Sequence, residues 1–266
     1  MPSPPKAYTN LEFLNSRHAR TLRILSEYVE PKSRLDREQI YDTIVFFGSA
    51  RFRDAATADN MLATAKTEDE RRLGQVAKAG SRYYEEARRL SFMLAKWAAE
   101  VSEKSRRFVI CSGGGPGIME AANRGAHEAG EPSVGFNITL PEEQEPNPYI
   151  TPDLSFQFHY FFMRKLWFAY LAKALIVFPG GFGTLDEMME ILTLTQTRKI
   201  RKKVLTIIYG REYWDKVINF DAMIEMGTID PSDRELFSYA ETPEQAFEIL
   251  TPWLLKHYSE KSRRLS

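Results

Sequence analysis

The chain has 266 residues, which is enough to bury one sizeable core in a single α/β domain or in two small domains. Lys and Arg together number 36, as do Asp and Glu, so no net basic charge is available to attract nucleic acid or an anionic membrane. The single cysteine, Cys111, excludes an internal disulfide framework and is typical of a reducing compartment. The N-terminus lacks the apolar segment of a signal peptide, and no apolar stretch is long enough to span a bilayer. We therefore expect a soluble cytoplasmic protein without nucleic-acid or membrane partners.

The first part of the chain has apolar residues at helical spacing between Asn10 and Tyr28. This pattern predicts one or two helices that end at Pro31, followed by a charged link at 32–39. We interpret residues 1–40 as an N-terminal helical arm, residues 41–258 as the main domain and residues 259–266 as a polar tail.

In the main domain, short apolar runs that are typical of buried strands alternate with helical patterns. The runs predict strands at 43–47, 108–111, 133–138, 154–159, 174–178 and 204–209. The helical patterns lie at 73–101, 118–129, 160–172, 188–197, 212–226 and 243–257. Residues 54–73 are predicted to form a polar, partly helical insertion, and the proline-rich residues 141–152 a loop too polar for the core.

The alternation of strands and helices predicts an α/β fold with a doubly wound, mostly parallel sheet of about six or seven strands and helices on both faces. Because crossovers between parallel strands are right-handed, the carboxyl ends of the strands meet at one edge of the sheet. Three glycine-bearing turns would share that edge: Gly48-Ser49, residues 113–117 and residues 180–184. Ligands bind at this edge in such sheets, so we expect the functional site there.

The nonapeptide at 179–187, PGGFGTLDE, lies between an apolar strand and an amphipathic helix. Gly180, Gly181 and Gly183 lack a Cβ, so an anion can approach the backbone N–H groups at the start of the helix. The alternative is that these glycines serve only to make a tight turn. Neither glycine-rich turn has the G-x-G-x-x-G spacing of a dinucleotide site, and the chain contains no G-x-x-x-x-G-K-[ST] P-loop. We therefore expect a phosphate site without a nicotinamide cofactor.

Thr184 and Glu187 have the spacing of a capping box, in which Thr bonds a helix N–H and Glu reaches back to the chain. Capping and catalysis are compatible here, because both place the Glu187 carboxyl at the mouth of the cleft. Glu190 lies one turn further on the same helical face, where a second carboxylate would raise the pKa of Glu187.

Arg164 and Lys165 lie in an aromatic helical segment. They are either a pair that snorkels at the surface or a contact to an anionic ligand such as a nucleotide. The spacing of His, Cys and carboxylate residues predicts no metal site. We expect Cys111 to be buried at a strand end rather than to act as a nucleophile.

Taken together, these motifs resemble the LOG (Lonely Guy) family, whose members are often labelled "lysine decarboxylase". PGGFGTLDE at 179–187 matches the family signature P-G-G-x-G-T-x-x-E throughout. GGGPGIM at 113–119 resembles the family's G-G-G-x-x-G-x-M turn, with Gly117 one position early. Gly48-Ser49 and Met163-Arg164-Lys165 also fit, and the resemblance extends over about residues 43–209.

The resemblance implies a Rossmann-like nucleoside 5′-monophosphate phosphoribohydrolase, which releases the free base, including cytokinins, and forms homodimers or larger assemblies. The family's catalytic residues fall on Arg164 and Glu187. Phosphate binding falls on Gly180, Gly181, Gly183 and Thr184, and further substrate contacts are expected from Gly48, Ser49, Gly114, Gly115, Met163, Lys165 and Glu190. The arm and the insertion resemble a longer bacterial branch of the family. No cofactor is expected.

The decarboxylase label conflicts with the residues, because that reaction normally needs pyridoxal phosphate on a lysine, and only Lys165 lies in a site-like context. The alternative to a hydrolase is a non-catalytic nucleotide or molybdenum-cofactor binding protein of the same fold. The presence of both Arg164 and Glu187 favours the hydrolase, because a pure phosphate-binding turn has no need of a carboxylate beside it. A dehydrogenase that uses NAD is disfavoured by the glycine spacing.

Overall fold

The sheet is built from seven short strands. The computed structural model describes residues 4–102, 106–140 and 145–258. The strands are β1 (Thr43–Phe47), β2 (Val109–Ser112), β3 (Ser133–Ile138), β4 (Ser155–Phe158), β5 (Ala172–Val177), β6 (Leu205–Tyr209) and β7 (Phe237–Ala240). They pair in the order β4-β3-β2-β1-β5-β6-β7, and every pair is parallel. The predicted α/β fold with a doubly wound parallel sheet is confirmed.

Helices cover both faces of this sheet. They are α1 (Leu11–Asn15), α2 (Arg20–Arg37), α3 (Ala55–Thr64), α4 (Glu68–Val101), α5 (Ile118–Glu128), α6 (Phe161–Leu171), α7 (Phe182–Gln196), α8 (Arg211–Val217), α9 (Phe220–Glu225) and α10 (Pro243–Tyr258). Helices α4, α5 and α10 pack with Phe46 and Ile176 on one face, and α2, α6, α7 and α8 pack with Val45 and Val177 on the other. Both faces of the central strands are buried, so these strands are continuous apolar runs rather than alternating ones.

The order of the strands changes direction at the centre of the sheet. From β1 the chain proceeds through β2 and β3 to β4 on one side, and β5, β6 and β7 follow on the other side. A crevice opens at such a switch point, because the connections after the two adjacent strands leave in opposite directions. Gly48 follows β1 and the 180–184 turn follows β5, so both lie at this crevice.

Helix α2 continues through Pro31, so the prediction that the arm's helix ends at this proline is wrong. Proline lacks the N–H that would bond the carbonyl four residues earlier, which is that of Glu27. The indole N–H of Trp167 on α6 donates to this carbonyl instead, at 2.9 Å. A neighbouring helix therefore replaces the missing bond, and most of the predicted charged link is helical.

The segment predicted as a polar insertion at 54–73 is helical over most of its length. Asp54 caps α3 by accepting a hydrogen bond from the N–H of Thr57. Thr67 and Glu70 form a capping box that starts α4 at Glu68, earlier than the predicted residue 73. The capping box therefore explains why α4 starts before the predicted residue 73.

Two features of the C-terminal part differ from the prediction. The helix expected at 212–226 is divided into α8 and α9, because Ile218 is extended and the side chain of Asn219 caps α9. Strand β7 has no counterpart among the predicted strands. Its four residues form one edge of the sheet, and a run this short gives little periodicity to detect.

The loop after β3 is not uniformly exposed. Asn147 and Ile150 are buried, so the prediction of a loop too polar for the core is wrong for these two residues. Residues 141–144 of this loop and the predicted tail at 259–266 lie outside the described residues. None of the described helices is long and apolar enough to cross a membrane. The division into an arm and one main domain stays a prediction.

Candidate functional site

A cleft of about 660 Å³ opens at the carboxyl ends of β1 and β5. Its walls are the loop after β1, the 113–117 turn, the start of α6 and the first two turns of α7. The predicted site residues that line it are Gly48, Ser49, Gly115, Arg164, Gly180, Gly181, Gly183, Thr184 and Glu187. Gly114, Met163, Lys165 and Glu190 lie outside this lining.

At the 180–184 turn, the carbonyls of Pro179 and Gly180 are occupied, and the first N–H groups of α7 have no hydrogen-bond partner among the described residues. The N–H of Ser49 donates to the carbonyl of Pro179 at 2.9 Å, and the hydroxyl of Tyr213 donates to the carbonyl of Gly180 at 2.8 Å. Helix α7 has no side-chain N-cap, and the first N–H groups of a helix have no partner within the helix. An anion at this end of α7 therefore meets free N–H donors and the positive end of the helix dipole.

The same turn is accessible from solvent. A Cβ added at Gly181 or Gly183 would meet no atom within 4 Å, and both residues are exposed. Gly180 faces inward, where an added Cβ would lie 2.2 Å from Oγ1 of Thr184. The absence of a side chain therefore has two uses here: Gly180 permits close packing, and Gly181 and Gly183 leave the N–H groups uncovered.

Glu187 is the main titratable group of the cleft. Helix α7 begins at Phe182 with Gly181 as its N-cap, so Thr184 and Glu187 lie inside the helix and the predicted capping box is wrong. Glu187 is only 7% exposed. Burial raises the pKa of its carboxyl to about 7, against the opposing charges of Lys165 and Arg164. This carboxyl can therefore exchange a proton near neutral pH.

Arg164 is held with its guanidinium against the 113–117 turn. Its Nε donates to the carbonyl of Phe136 at 2.7 Å, and a Cβ added at Gly113 would lie 2.5 Å from its Nη2. Burial lowers the pKa of Arg164 and the charge of Glu187 raises it, but a guanidinium stays protonated at physiological pH. Arg164 is therefore a fixed positive charge in the cleft wall and not a snorkelling side chain at the surface.

Lys165 points away from the cleft, towards the outer face of α7. Its Nζ lies 2.8 Å from Oδ2 of Asp186, 2.8 Å from Oε2 of Glu190 and 4.0 Å from Oε2 of Glu187. Burial alone would lower the pKa of Lys165, but its hydrogen bonds to Asp186 and Glu190 raise it. Lys165 and Glu190 thus neutralise each other beside the cleft, and Lys165 acts on Glu187 through its charge.

The 113–117 turn is held by buried polar side chains. Nδ2 of Asn147 donates to the carbonyls of Gly114 and Gly115, at 3.0 and 3.1 Å. Oγ of Ser112 accepts from the N–H of Gly114 at 3.0 Å and donates to Oδ1 of Asn123 at 2.6 Å. Two carbonyls and one N–H of this turn are therefore bonded inside the protein.

Ser49, Gly48 and Met163, which were also predicted as substrate contacts, make packing or backbone contacts within the protein. The carbonyl of Ser49 accepts from the N–H of Ile118 at 3.1 Å, so Ser49 connects the 113–117 turn with the 180–184 turn. A Cβ added at Gly48 would lie 2.7 Å from Cγ1 of Ile118. Met163 is 6% exposed and belongs to the core. Cys111 is wholly buried as expected, and burial raises the pKa of its thiol.

Sequence reasoning missed two residues that hold the site, Tyr213 and Asn147. Each supports a glycine turn that lies about thirty residues earlier in the chain, at Gly180 and at Gly114. Local patterns do not report such contacts. Among the described residues, no group of three or more His, Cys, Asp or Glu side chains is arranged to hold a metal ion.

Comparison with known proteins finds relatives of the part of the chain that includes this cleft. The family model described as "Possible lysine decarboxylase" matches residues 119–250, which include Arg164 and Glu187. The probable cytokinin riboside 5′-monophosphate phosphoribohydrolase LOGL2 of Oryza sativa subsp. japonica is 27% identical over 152 residues, which are 56% of this chain and 61% of that protein. Residues 119–250 are thus similar to a LOG-type domain. The resemblance to the LOG family is thus confirmed.

The LOG-type domain has other relatives. The cytokinin riboside 5′-monophosphate phosphoribohydrolase LOG3 of Arabidopsis thaliana is 26% identical over 152 residues, or 56% of this chain and 69% of that protein. The chain thus spans only about three fifths of the rice relative and somewhat more of the Arabidopsis one. The solved molybdenum cofactor binding protein from the phototrophic bacterium Rippkaea orientalis has a TM-score of 0.48 and 16% identity, over 80% of this chain and 98% of that chain.

The description of the family model and the names of the relatives point to different chemistry. The lining of the cleft, as far as the structure describes it, contains no lysine that could form a Schiff base with pyridoxal phosphate. The cleft of the LOG-type domain therefore does not fit the decarboxylase description.

Proposed function

We propose that the cleft hydrolyses the N-glycosidic bond of a nucleoside 5′-monophosphate, of the AMP or N6-substituted AMP class, to the free base and ribose 5-phosphate. One observation carries this proposal: the free N–H groups of the 180–184 turn and the buried carboxyl of Glu187 lie on one helix and line one cleft. The names of the rice and Arabidopsis relatives support it.

The 5′-phosphate binds at the start of α7. The N–H groups of Gly181, Gly183 and Thr184 donate to its oxygens, and the dipole of α7 stabilises its charge. Because the phosphate is attached to the ribose, this contact also fixes the sugar one turn further along the helix. Binding energy of the non-reacting phosphate is thereby used to orient the bond that breaks.

Glu187 acts on the sugar in its ionised form. Water adds its hydroxyl to C1′ while the C1′–N bond breaks, and the departing base takes up a proton from solvent, to which Glu187 afterwards returns the proton that it accepted. The carboxylate accepts a proton from the water and stabilises the positive charge that develops on the ribose ring, as carboxylates do in glycoside hydrolysis. A pKa of about 7 suits a general base at neutral pH.

Arg164 orients the substrate and does not donate a proton. Its guanidinium is fixed by the carbonyl of Phe136 beside the 113–117 turn, where it can bind the base or the phosphate. The guanidinium pKa lies too far above neutrality for proton donation. We assign Arg164 the role of a charge that holds the nucleotide against α7.

The test is an assay of the purified protein with a panel of purine, pyrimidine and N6-substituted nucleoside monophosphates. The expected products are the free base and ribose 5-phosphate in equal amounts, and the matching nucleosides without phosphate should react far more slowly. Release from no member of the panel would refute the hydrolase. If a nucleotide then stayed tightly bound and unchanged, the alternative of a non-catalytic binding protein would replace it.

A further inference from the structure

The N-terminal arm packs along the segment of chain from β4 to α6. Nη1 of Arg34 on α2 donates to the carbonyl of Ser155 on β4 at 3.0 Å. Further along, Tyr28 of α2 stacks on Trp167 of α6, with the ring centres 5.6 Å apart. Helix α2 thus contacts both elements that flank the β4–α6 junction.

Glu27 of α2 caps the start of α6. Its Oε1 accepts from the N–H of His159 at 2.7 Å, and its Oε2 accepts from the N–H of Tyr160 at 3.2 Å. Tyr160 is the N-cap position of α6, and its own side chain makes no capping hydrogen bond. A carboxylate at this position also interacts favourably with the positive end of the α6 dipole. The cap of α6 is therefore supplied by the arm.

Tyr160, the capped residue, is joined to Arg164 by a backbone hydrogen bond. The carbonyl of Tyr160 accepts from the N–H of Arg164 at 3.2 Å, as part of the first turn of α6. The side chain of Arg164 then reaches Phe136 on β3, where its Nε–H donates at 2.7 Å. The direction of the guanidinium therefore depends on where α6 begins relative to β3. Glu27 fixes that starting point.

A second contact of Glu27 holds α6 further along. The carbonyl of Glu27 accepts from the indole N–H of Trp167 at 2.9 Å. This carbonyl is available because Pro31, four residues later in α2, has no N–H to bond it. The carboxylate and the carbonyl of one residue thus hold α6 at its N-cap residue, Tyr160, and again almost two turns later at Trp167. Two such points fix both the position and the rotation of the helix.

We propose that Glu27 is a positioning residue, through which the N-terminal arm holds α6 in the place where Arg164 can bind the nucleotide. This inference rests on the proposed function for its effect on turnover. It assigns a role to the arm, which lies outside the span that matches the family model.

The first test needs no substrate. Amide and side-chain hydrogen exchange is measured by NMR in the wild type and in Glu27→Ala. We expect the N–H groups of His159 and Tyr160 and the Nε–H of Arg164 to exchange about 10- to 100-fold faster in the variant, because a charge-assisted hydrogen bond is lost. Glu27→Gln keeps an acceptor oxygen and should lie between the two.

The second test measures turnover of AMP. In Glu27→Ala we expect kcat to fall about tenfold or more, because a small misplacement of an orienting group is costly. The affinity for inorganic phosphate should fall less than kcat, because the 180–184 turn is held by Ser49 and Tyr213, whose contacts do not involve Glu27. Partial recovery of kcat in Glu27→Gln is the expected signature of positioning.

Glu12→Gln is the matched control, since Glu12 is an exposed arm residue in α1 and carries the same charge. The inference would be overturned if the Nε–H of Arg164 exchanged at the same rate in Glu27→Ala and Glu12→Gln. It would also be overturned if the two variants had the same kcat for AMP. Should Glu27→Ala fail to fold, Glu27→Gln is compared with Glu12→Gln in the same way. If the wild type hydrolyses no nucleotide, the proposed function fails, and the exchange of the Arg164 Nε–H alone decides whether Glu27 positions it.

Discussion

The two glycine-rich turns of the cleft look alike in sequence and differ in construction. Each follows a parallel strand and starts a helix, and each has a buried polar residue at the sixth helical position, Asn123 in α5 and Glu187 in α7. In the 113–117 turn, the side chain of Asn147 occupies the carbonyls of Gly114 and Gly115, and the hydroxyl of Ser112 occupies the N–H of Gly114. In the 180–184 turn, the carbonyls are occupied but the first N–H groups of α7 are free.

This difference is the reason why we propose that the 180–184 turn binds the ligand and the 113–117 turn is structural. Asn123 accepts from Ser112 and donates to Ser133, so its amide is satisfied inside the protein. The carboxyl of Glu187 lies 4.0 Å from Lys165, too far for a hydrogen bond, and no other ion pair involves it among the described residues. Because Glu187 lines the cleft, its carboxyl can take a hydrogen-bond partner from there, and groups with a strongly shifted pKa concentrate at functional sites.

The largest effect is expected at Glu187. If the 180–184 turn belongs to the catalytic half of the cleft, Glu187→Gln should lower kcat/KM for AMP by about 10²- to 10⁴-fold, because a general base is lost. The affinity for AMP should be retained. In the wild type, kcat/KM should rise with pH through about 7, since the ionised carboxyl is the active form in the free protein. A variant with undiminished turnover would remove Glu187 from the mechanism.

The next largest effect is expected for an alanine substitution in the 113–117 turn, at Gly117, compared with one in the 180–184 turn, at Gly181. Gly117 has φ of 72°, and an added Cβ would lie 2.2 Å from the carbonyl oxygen of Ser49. Gly117→Ala should therefore lower the free energy of unfolding by about 2 to 4 kcal/mol. Gly181 has φ of −92° and open space around it, so Gly181→Ala should leave stability nearly unchanged and weaken phosphate binding.

Chemical denaturation of both glycine variants measures the first quantity, and calorimetric titration with AMP measures the second. Equal losses of stability at the two positions would mean that both turns are structural. The distinction between them would then have to be abandoned.

Substitutions of the two buried polar residues, Glu187 and Asn123, should change the stability of the protein in opposite directions, and by smaller amounts. The pKa of Glu187 is raised in the folded state, so its contribution to stability is present below about pH 4.5 and is lost as the pH rises to about 7. Glu187→Gln should therefore stabilise the protein by about 1 to 3 kcal/mol at pH 8 and by little at pH 4. Asn123→Ala should destabilise it at both pH values, because its partners lose their hydrogen bonds.

Thermal unfolding at pH 4 and at pH 8 measures these differences. A stabilisation by Glu187→Gln that is the same at both pH values would contradict the raised pKa. A stabilisation by Asn123→Ala would contradict the structural role of the 113–117 turn.

The smallest effect is expected at Tyr213. The hydroxyl of Tyr213 donates to the carbonyl of Gly180. In Tyr213→Phe this carbonyl oxygen has no donor and lies unpaired beside the negatively charged phosphate. We expect the Kd for AMP to rise about fivefold, which corresponds to one neutral hydrogen bond, and the Kd for adenosine to stay unchanged. Titration with both ligands measures the effect. An equal rise for both would show that Tyr213 does not act through the phosphate.

The fold could be predicted largely from the sequence, because both faces of the sheet are covered. The strand at Thr43–Phe47 is a run of buried residues in the structure, and such runs are recognisable without any alignment. Boundaries that depend on a single side chain were missed. Helix α2 passes Pro31 only because Trp167, distant in sequence, supplies the missing donor.

For the candidate site, the sequence located the turn but not what holds it. The glycines and the apolar strand before them are local signals, so the 180–184 turn was found. The predicted capping box was wrong because α7 begins at Phe182, two residues before Thr184. The spacing of Thr184 and Glu187 alone does not distinguish this start from one at which Thr184 is the N-cap. The contacts of Tyr213, Asn147 and Glu27 join segments that are far apart in the chain, and no local pattern encodes them.

The most direct test of the central claim is a crystal structure of Glu187→Gln with AMP bound. We expect the phosphate to lie on the first N–H groups of α7, within hydrogen-bond distance of Gly181 and Gly183, with C1′ of the ribose beside residue 187. A phosphate bound at the 113–117 turn, with the 180–184 turn empty, would contradict it.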